Sequence, residues 1–224
     1  MLLQHCTKKE LVAMLAALLL LGGCGGSASV KPSADSRQVD QDVLSPAEND
    51  AAAAATAAIP PTVLTLFEQA TASMAGGDFV EAELRFKEFL LQYPDYPGAY
   101  VNLAIIHSNN RNDAAARASI DAALALEPDH AAALNQLGML LRRNGSFLEA
   151  EAAYLKAVTV SPDYALAHYN LGVLNELYLQ RLEAALHHFE TYQSLVGEDK
   201  QVARWITDLT RRVAANQRTA NVAD

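Results

Sequence analysis

The sequence predicts an all-α solenoid, in which helix hairpins stack in a row and one last helix caps the stack. A repeat is the first reason. Pro94, Pro128 and Pro162 are spaced 34 residues apart, each followed by Asp. Ala82, Ala116, Ala150 and Ala184 keep that interval, as do Leu103, Leu137 and Leu171, which precede the small residues Ala104, Gly138 and Gly172. A fixed period of this length marks a repeat array. Composition is the second reason: about a fifth of the 224 residues are Ala, 51% are hydrophobic and only 7% are aromatic, a mixture that favours packed helix.

The first 23 residues read as a signal peptide, with Lys8 and Lys9 ahead of an apolar run over residues 11–21. That run is too short to span a bilayer as a helix. It ends in Leu21-Gly22-Gly23-Cys24, which resembles the lipobox of bacterial lipoproteins. The resemblance implies cleavage between Gly23 and Cys24, lipidation of Cys24, and, because Gly25 is not Asp, transfer to the outer membrane with the chain facing the periplasm. Cys6 would leave with the signal, so the mature monomer could form no disulfide. Residues 24–61 hold the lipidated Cys and a tether of Gly, Ser, Ala, Asp, Pro and Gln, too polar to order itself. A flexible tether of that length spans roughly 30 to 35 Å.

Hairpin units are expected at residues 63–96, 97–130, 131–164 and 165–198. Within each, a small residue in the first helix and one in the second (Ala116, Ala150, Ala184) allow close approach, and bulky Phe86, Ile120 and Tyr154 fill the space between. Gly77 and Gly145 suit the tight turn between helices. Gln69 and Ser73 replace apolar types in the first unit, as a terminal unit with no neighbour on one face allows. The fourth unit lacks a turn Gly and is expected to carry one extra residue between Asn175 and Ala185. Gly197 ends its second helix. A capping helix is expected over 199–214, with Val202, Ile206, Leu209 and Val213 on one stripe and Trp205 beside it, followed by a flexible tail over 215–224.

Leu134, Leu137, Gly138, Leu141, Gly145, Phe147, Ala150, Tyr154, Ala157 and Pro162 together closely resemble the consensus of the tetratricopeptide repeat family. The resemblance implies a right-handed superhelix that binds protein segments on its concave face, lined by the first helix of each unit. On this chain that face comprises Leu64, Phe67, Thr71 and Met74; Val101, Asn102, Ile105 and Asn109; Asn135, Gln136, Met139, Arg142 and Arg143; and Tyr169, Asn170, Val173 and Glu176. Asn102, Gln136 and Asn170 share one repeat position, and a carboxamide can both donate to and accept from a peptide backbone. Only Arg142 and Arg143 supply cations there, an unpromising set for clamping a carboxylate.

The net charge of −9 and the lack of clustered Lys and Arg weigh against nucleic-acid binding. No phosphate-cradling Gly loop, nucleophile elbow or H-E-x-x-H helix occurs. His187 and His188 are adjacent and point about 100° apart on a helix, unlike a chelating i, i+4 pair. His107 reads as a helix-packing residue. Glu81, Glu149 and Glu183 read as a solvated face. The expectation is therefore a scaffold without enzymatic activity, metal or cofactor, which binds unidentified envelope proteins and is joined to the membrane through its lipid anchor. Self-association through a free end of the array is a further expectation. A pilotin-like assembly factor for a secretin or type IV pilus is the alternative.

Overall fold

The computed structural model describes residues 60–223. The signal peptide, Cys24 and nearly all of the tether lie outside them.

Nine α-helices make up the described chain: α1 (Pro61–Ala75), α2 (Phe79–Gln92), α3 (Pro97–Asn109), α4 (Asp113–Leu126), α5 (Ala131–Arg143), α6 (Phe147–Val160), α7 (Ala165–Leu174), α8 (Leu182–Val196) and α9 (Lys200–Ala223). A π-helical turn, Asn175–Leu179, continues α7. Successive helices pair as hairpins, each second helix meets the next first helix, and first helices also touch one another along the array. This is the expected α-solenoid.

Local chemistry sets the helix ends. Pro61 and Pro97 open α1 and α3 at first-turn positions, where a missing N–H costs nothing. Asp78 and Asn112 cap α2 and α4 by accepting from the Glu81 and Ala115 amides at 3.1 and 3.2 Å. The hairpin bends place Gly77 (φ +81°) and Gly145 (φ +84°) in the left-handed region, and Arg111 and Gln180 adopt the equivalent bends at φ +57°. In the first three bends the amides of Asp78, Asn112 and Ser146 donate to carbonyls five residues back, which satisfies the helix C-termini.

Each hairpin pairs a small residue with a large one. A Cβ built on Gly138 would lie 2.5 Å from the Tyr154 ring, and one on Gly172 would lie 2.6 Å from the Phe189 ring. Ala104 with Ile120 and Ala70 with Phe86 occupy the same places in the second and first hairpins, all fully buried. At the N-terminal edge, Gln69 stands where later units carry Leu103, Leu137 and Leu171, and its Oε1 accepts from Arg85 Nη1. The open end of the array is therefore polar.

The fourth hairpin holds its extra residue in the π-helical turn. Gly172 keeps the 34-residue spacing from Gly138, yet its partner Phe189 lies 35 from Tyr154. The bend amide of Arg181 reaches six residues back, to the Asn175 carbonyl at 2.9 Å, instead of five. A π-turn is an α-helix with one residue inserted. Consequently Ala185, fully buried, and not Ala184 makes the close helix contact. Strict periodicity misplaced it by one.

The last helix packs Val202 and Leu209 against α7 and α8, with Trp205 and Ile206 beside them, and Val213 is buried as well. It does not stop near 214 but runs to Ala223. Residues 200–223 contain no Gly or Pro and are rich in Ala and Arg, so nothing breaks the helix where its apolar stripe ends.

Candidate partner-binding face

The first helices α1, α3, α5 and α7 carry every residue expected on the concave face, but most of those side chains build the array. Phe67 packs edge-on against Phe86, Phe89 and Tyr96, with ring centres 5.3–5.4 Å apart. Tyr169 makes the same kind of contact with Phe189 and Tyr192 and lies 6.0 Å from Trp205. Val101, Ile105 and Val173 are buried as well. Large residues at this repeat position therefore join their own hairpin to the next helix.

The amides are buried too, and they differ from one another. Asn170 Nδ2 donates to Asn135 Oδ1 at 2.9 Å, which links α7 to α5. Asn135 Nδ2 in turn lies 3.8 Å from the Met139 sulfur. Gln136 is also buried. Asn102 is fully buried with neither its Nδ2 nor its Oδ1 hydrogen-bonded. The residue 35 positions before Asn170 is the acceptor Asn135, but the one 35 before Asn102 is Phe67, which offers no acceptor.

Solvent reaches Asn109, and partly Met139 and Arg142. Arg143 is turned to the second hairpin, where it donates to the Ser108 carbonyl at 3.1 Å and pairs with Asp113. Glu176, 7% exposed at its side chain, pairs with Arg212 of α9 at 2.9 Å. The face thus offers two cations to solvent, Arg142, partly exposed, and Arg143, exposed but paired with Asp113.

Family models of the tetratricopeptide repeat match residues 73–140 and 138–177. The array belongs to the tetratricopeptide repeat family. Solved structures similar in fold include PilF of Pseudomonas aeruginosa, 22% identical over 68% of this chain and 69% of that one, with a TM-score of 0.61. MamA (41-end) from Desulfovibrio magneticus RS-1 is 20% identical over 73% of this chain and 92% of that one, at 0.56. TTC0263, a thermophilic tetratricopeptide repeat protein of Thermus thermophilus, is 20% identical over 67% and 82%, at 0.58. No curated protein matches the chain. At these identities the likeness is one of fold. A tetratricopeptide array is a scaffold for protein–protein interaction.

This tetratricopeptide array also holds a pair of histidines that its sequence spacing did not signal. His168 on α7 and His188 on α8 lie 20 residues apart, and the hairpin brings their Nδ1 atoms to 3.2 Å. His168 Nε2 donates to the Pro162 carbonyl at 3.1 Å, so its Nδ1 is the bare nitrogen and accepts the hydrogen of His188 Nδ1. Burial, reinforced by the neighbouring His168 and His187, pushes the His188 pKa down to about 4. Burial also lowers that of His168, against the opposing Pro162 bond. His107 is half-buried beside Glu83, and burial outweighs that carboxylate to lower its pKa. His130 is buried at the start of α5, where its Nδ1 accepts from the Ala133 amide at 3.3 Å. Among the described residues no group of three or more His, Cys, Asp or Glu could hold a metal ion, and no helix is long and apolar enough to cross a membrane.

Proposed function

We propose that this protein is a non-enzymatic scaffold, lipid-anchored through Cys24 to the periplasmic side of a bacterial outer membrane, which holds an extended segment of an envelope protein against its first helices. The open part of the first-helix face, exposed Asn109 with partly exposed Met139 and Arg142, carries the binding half of this reading. Asn102 is fully buried, so its unmatched carboxamide lies beneath that surface, out of reach of a docked segment. Met139 and Arg142, half-exposed further along the face, offer a soft apolar contact and a cation to the rest of that segment.

A photo-crosslinker placed in the living cell at Asn109 or Met139 is expected to capture a defined protein, identified by mass spectrometry. Positions Leu148 and Leu155 on α6 serve as controls. Adducts at the α6 positions alone would reject the first-helix face as the binding site. The anchoring half has its own test: labelled palmitate should enter the chain and be lost in Cys24→Ser, and label that survives this substitution removes the anchor. The alternative, a pilotin-like assembly factor, predicts that the captured protein is a secretin or pilus subunit. Its support is the sequence resemblance together with the fold shared with PilF.

A further inference from the structure

Two surface features are left over when the array and its binding face are accounted for. The first is on α9. At 100° per residue, Lys200, Arg204, Arg211 and Arg218 fall within about 40° of one another, opposite the buried Val202, Leu209 and Val213. All four are exposed, the Arg211 side chain at 80%, with only the small residues Thr207, Ala214 and Ala215 between them. The stripe is about 27 Å long, with its three Arg residues about 10.5 Å apart. The described helix carries five cations, Arg212 included, against the single carboxylate of Asp208, in a chain whose net charge is −9.

The second is on α2. Val80, Leu84 and Leu91 lie within about 40° of one another and are 81%, 61% and 86% exposed. The repeat does not require the two leucines: the positions equivalent to Leu84 are Ala118, Ala152 and His187, and those equivalent to Leu91 are Ala125, Thr159 and Ser194, whereas Val80 has an exposed counterpart in Leu148 of α6. Glu81 and Glu88 flank this apolar strip on one side and Glu83 on the other, while Lys87 stands on the strip and pairs with Glu83 at 2.5 Å, and Arg85 pairs with Glu81 at 2.7 Å. Glu81 and Glu88 are seven residues apart, about 10.5 Å along the axis, the same rise that separates Arg204 from Arg211 and Arg211 from Arg218.

We infer that α9 of one copy docks on α2 of a second copy, with Arg stems lying across Leu84 and Leu91 and guanidinium groups reaching Glu81, Glu88 and Glu83. Long cationic side chains cover apolar surface while their heads stay wet. The small residues between the α9 cations let the helices approach. The complement lies within the chain itself, in spacing and in net sign: three carboxylates on α2 outnumber Arg85 and Lys87, and five cations on α9 outnumber Asp208, which pairs with Arg211. An anionic membrane or a nucleic acid would meet the same cations but would repel the acidic body that carries them. Each copy has one donor helix and one acceptor helix, so the contact is heterologous and builds either a closed ring or a head-to-tail row.

The test is sedimentation equilibrium of the full chain in neutral detergent at about 20 mM and about 500 mM salt, between which the screening length shrinks from roughly 20 Å to about 4 Å. Association is expected at low salt and should weaken by about tenfold or more at high salt. The triple variant Arg204→Glu, Arg211→Glu, Arg218→Glu should be monomeric, and so should Glu81→Lys, Glu83→Lys, Glu88→Lys. Mixing the two should restore a complex, which loss of folding in either variant could not do. Leu84→Gln with Leu91→Gln should weaken association at both salt concentrations. A monomeric wild type at low salt, unchanged association in the Arg triple variant, or binding of wild type to phosphatidylglycerol vesicles in place of self-association would each overturn the inference. None of these positions lies on the first helices, so partner capture there can fail or succeed independently.

Discussion

Gly172→Ala is the sharpest test of how the fourth hairpin is held together. The added Cβ would lie 2.6 Å from Phe189 Cε1, 2.7 Å from Cδ1 and 2.9 Å from Cγ. Non-bonded carbons prefer about 3.5–4.0 Å, so the ring must retreat by about 1 Å. It has little room, being fully buried, edge-on to Tyr169 at 6.0 Å and 5.5 Å from Trp205. Ala in a helix interior is worth about 1 kcal/mol over Gly, whereas overpacking costs about 1–3 kcal/mol and each aromatic pair disturbed adds about 0.5–1.5. The net expectation is a loss of about 2 kcal/mol, or a fall in Tm of about 4–8 °C for a domain of this size. Thermal unfolding by circular dichroism measures it. Gly76→Ala is the control, since its Cβ would meet only the Ala72 and Ser73 carbonyls, at 3.4 and 3.5 Å, and should leave Tm within a degree or two. Combined with Phe189→Leu, the Gly172→Ala loss should shrink by at least about 1 kcal/mol. A Gly172→Ala protein as stable as wild type would refute the reasoning, because helix propensity alone would then decide the site.

Arg111→Gly should raise stability by about 0.5–1 kcal/mol and Gly145→Ala should lower it by a similar amount, both read from urea midpoints, because the two residues adopt the same left-handed bend. Asn102→Leu should be neutral or stabilising by up to about 1 kcal/mol, since it removes two unmatched polar atoms, whereas Asn170→Leu should cost about 1–2 kcal/mol by stripping Asn135 of its donor. His188 sets a pH dependence. With its folded pKa near 4 and an ordinary value of 6.5, the unfolded chain binds the proton first as pH falls. Stability should therefore be flat above about pH 6.5, decline from there to about pH 4 and level off below. The decline should be no more than about 2 kcal/mol once solvent screening of the half-buried ring is allowed for. His188→Gln should reduce that slope in pH-resolved chemical unfolding, leaving the share of His107, His130 and His168, whose pKa values burial also lowers, and an unchanged slope would remove the ring as a source.

Hairpins were legible in the sequence because each needs the same few shapes at the same places: a small residue opposite a large one, a bend, and a Pro that ends the unit. The extra residue of the fourth unit was legible for the same reason, since Phe189 arrives one position late. What the repeat could not reveal is how a side chain divides its area between two neighbours. Phe67 and Tyr169 share a position expected to face a groove, yet their rings are large enough to reach the second helix and become core. The amide row was legible as a row, but its pairing depends on what stands one repeat earlier: Asn135 behind Asn170, Phe67 behind Asn102. The apolar stripe predicts an end to α9 near residue 214, whereas backbone propensity carries the helix on to Ala223. The His168–His188 contact joins residues 20 apart with no periodic mark.

The wider turn at Asn175–Leu179 has a consequence for how such a chain can change length. One residue added to an ordinary helix would rotate everything beyond it by about 100° and turn each downstream contact away from its mate. Here the surplus is absorbed within five residues, and Gln180, Arg181 and Leu182 resume the path of their counterparts. A gene that lengthens by copying whole units can thus also accept a single inserted codon at a bend, leaving the copies on both sides to mate as before.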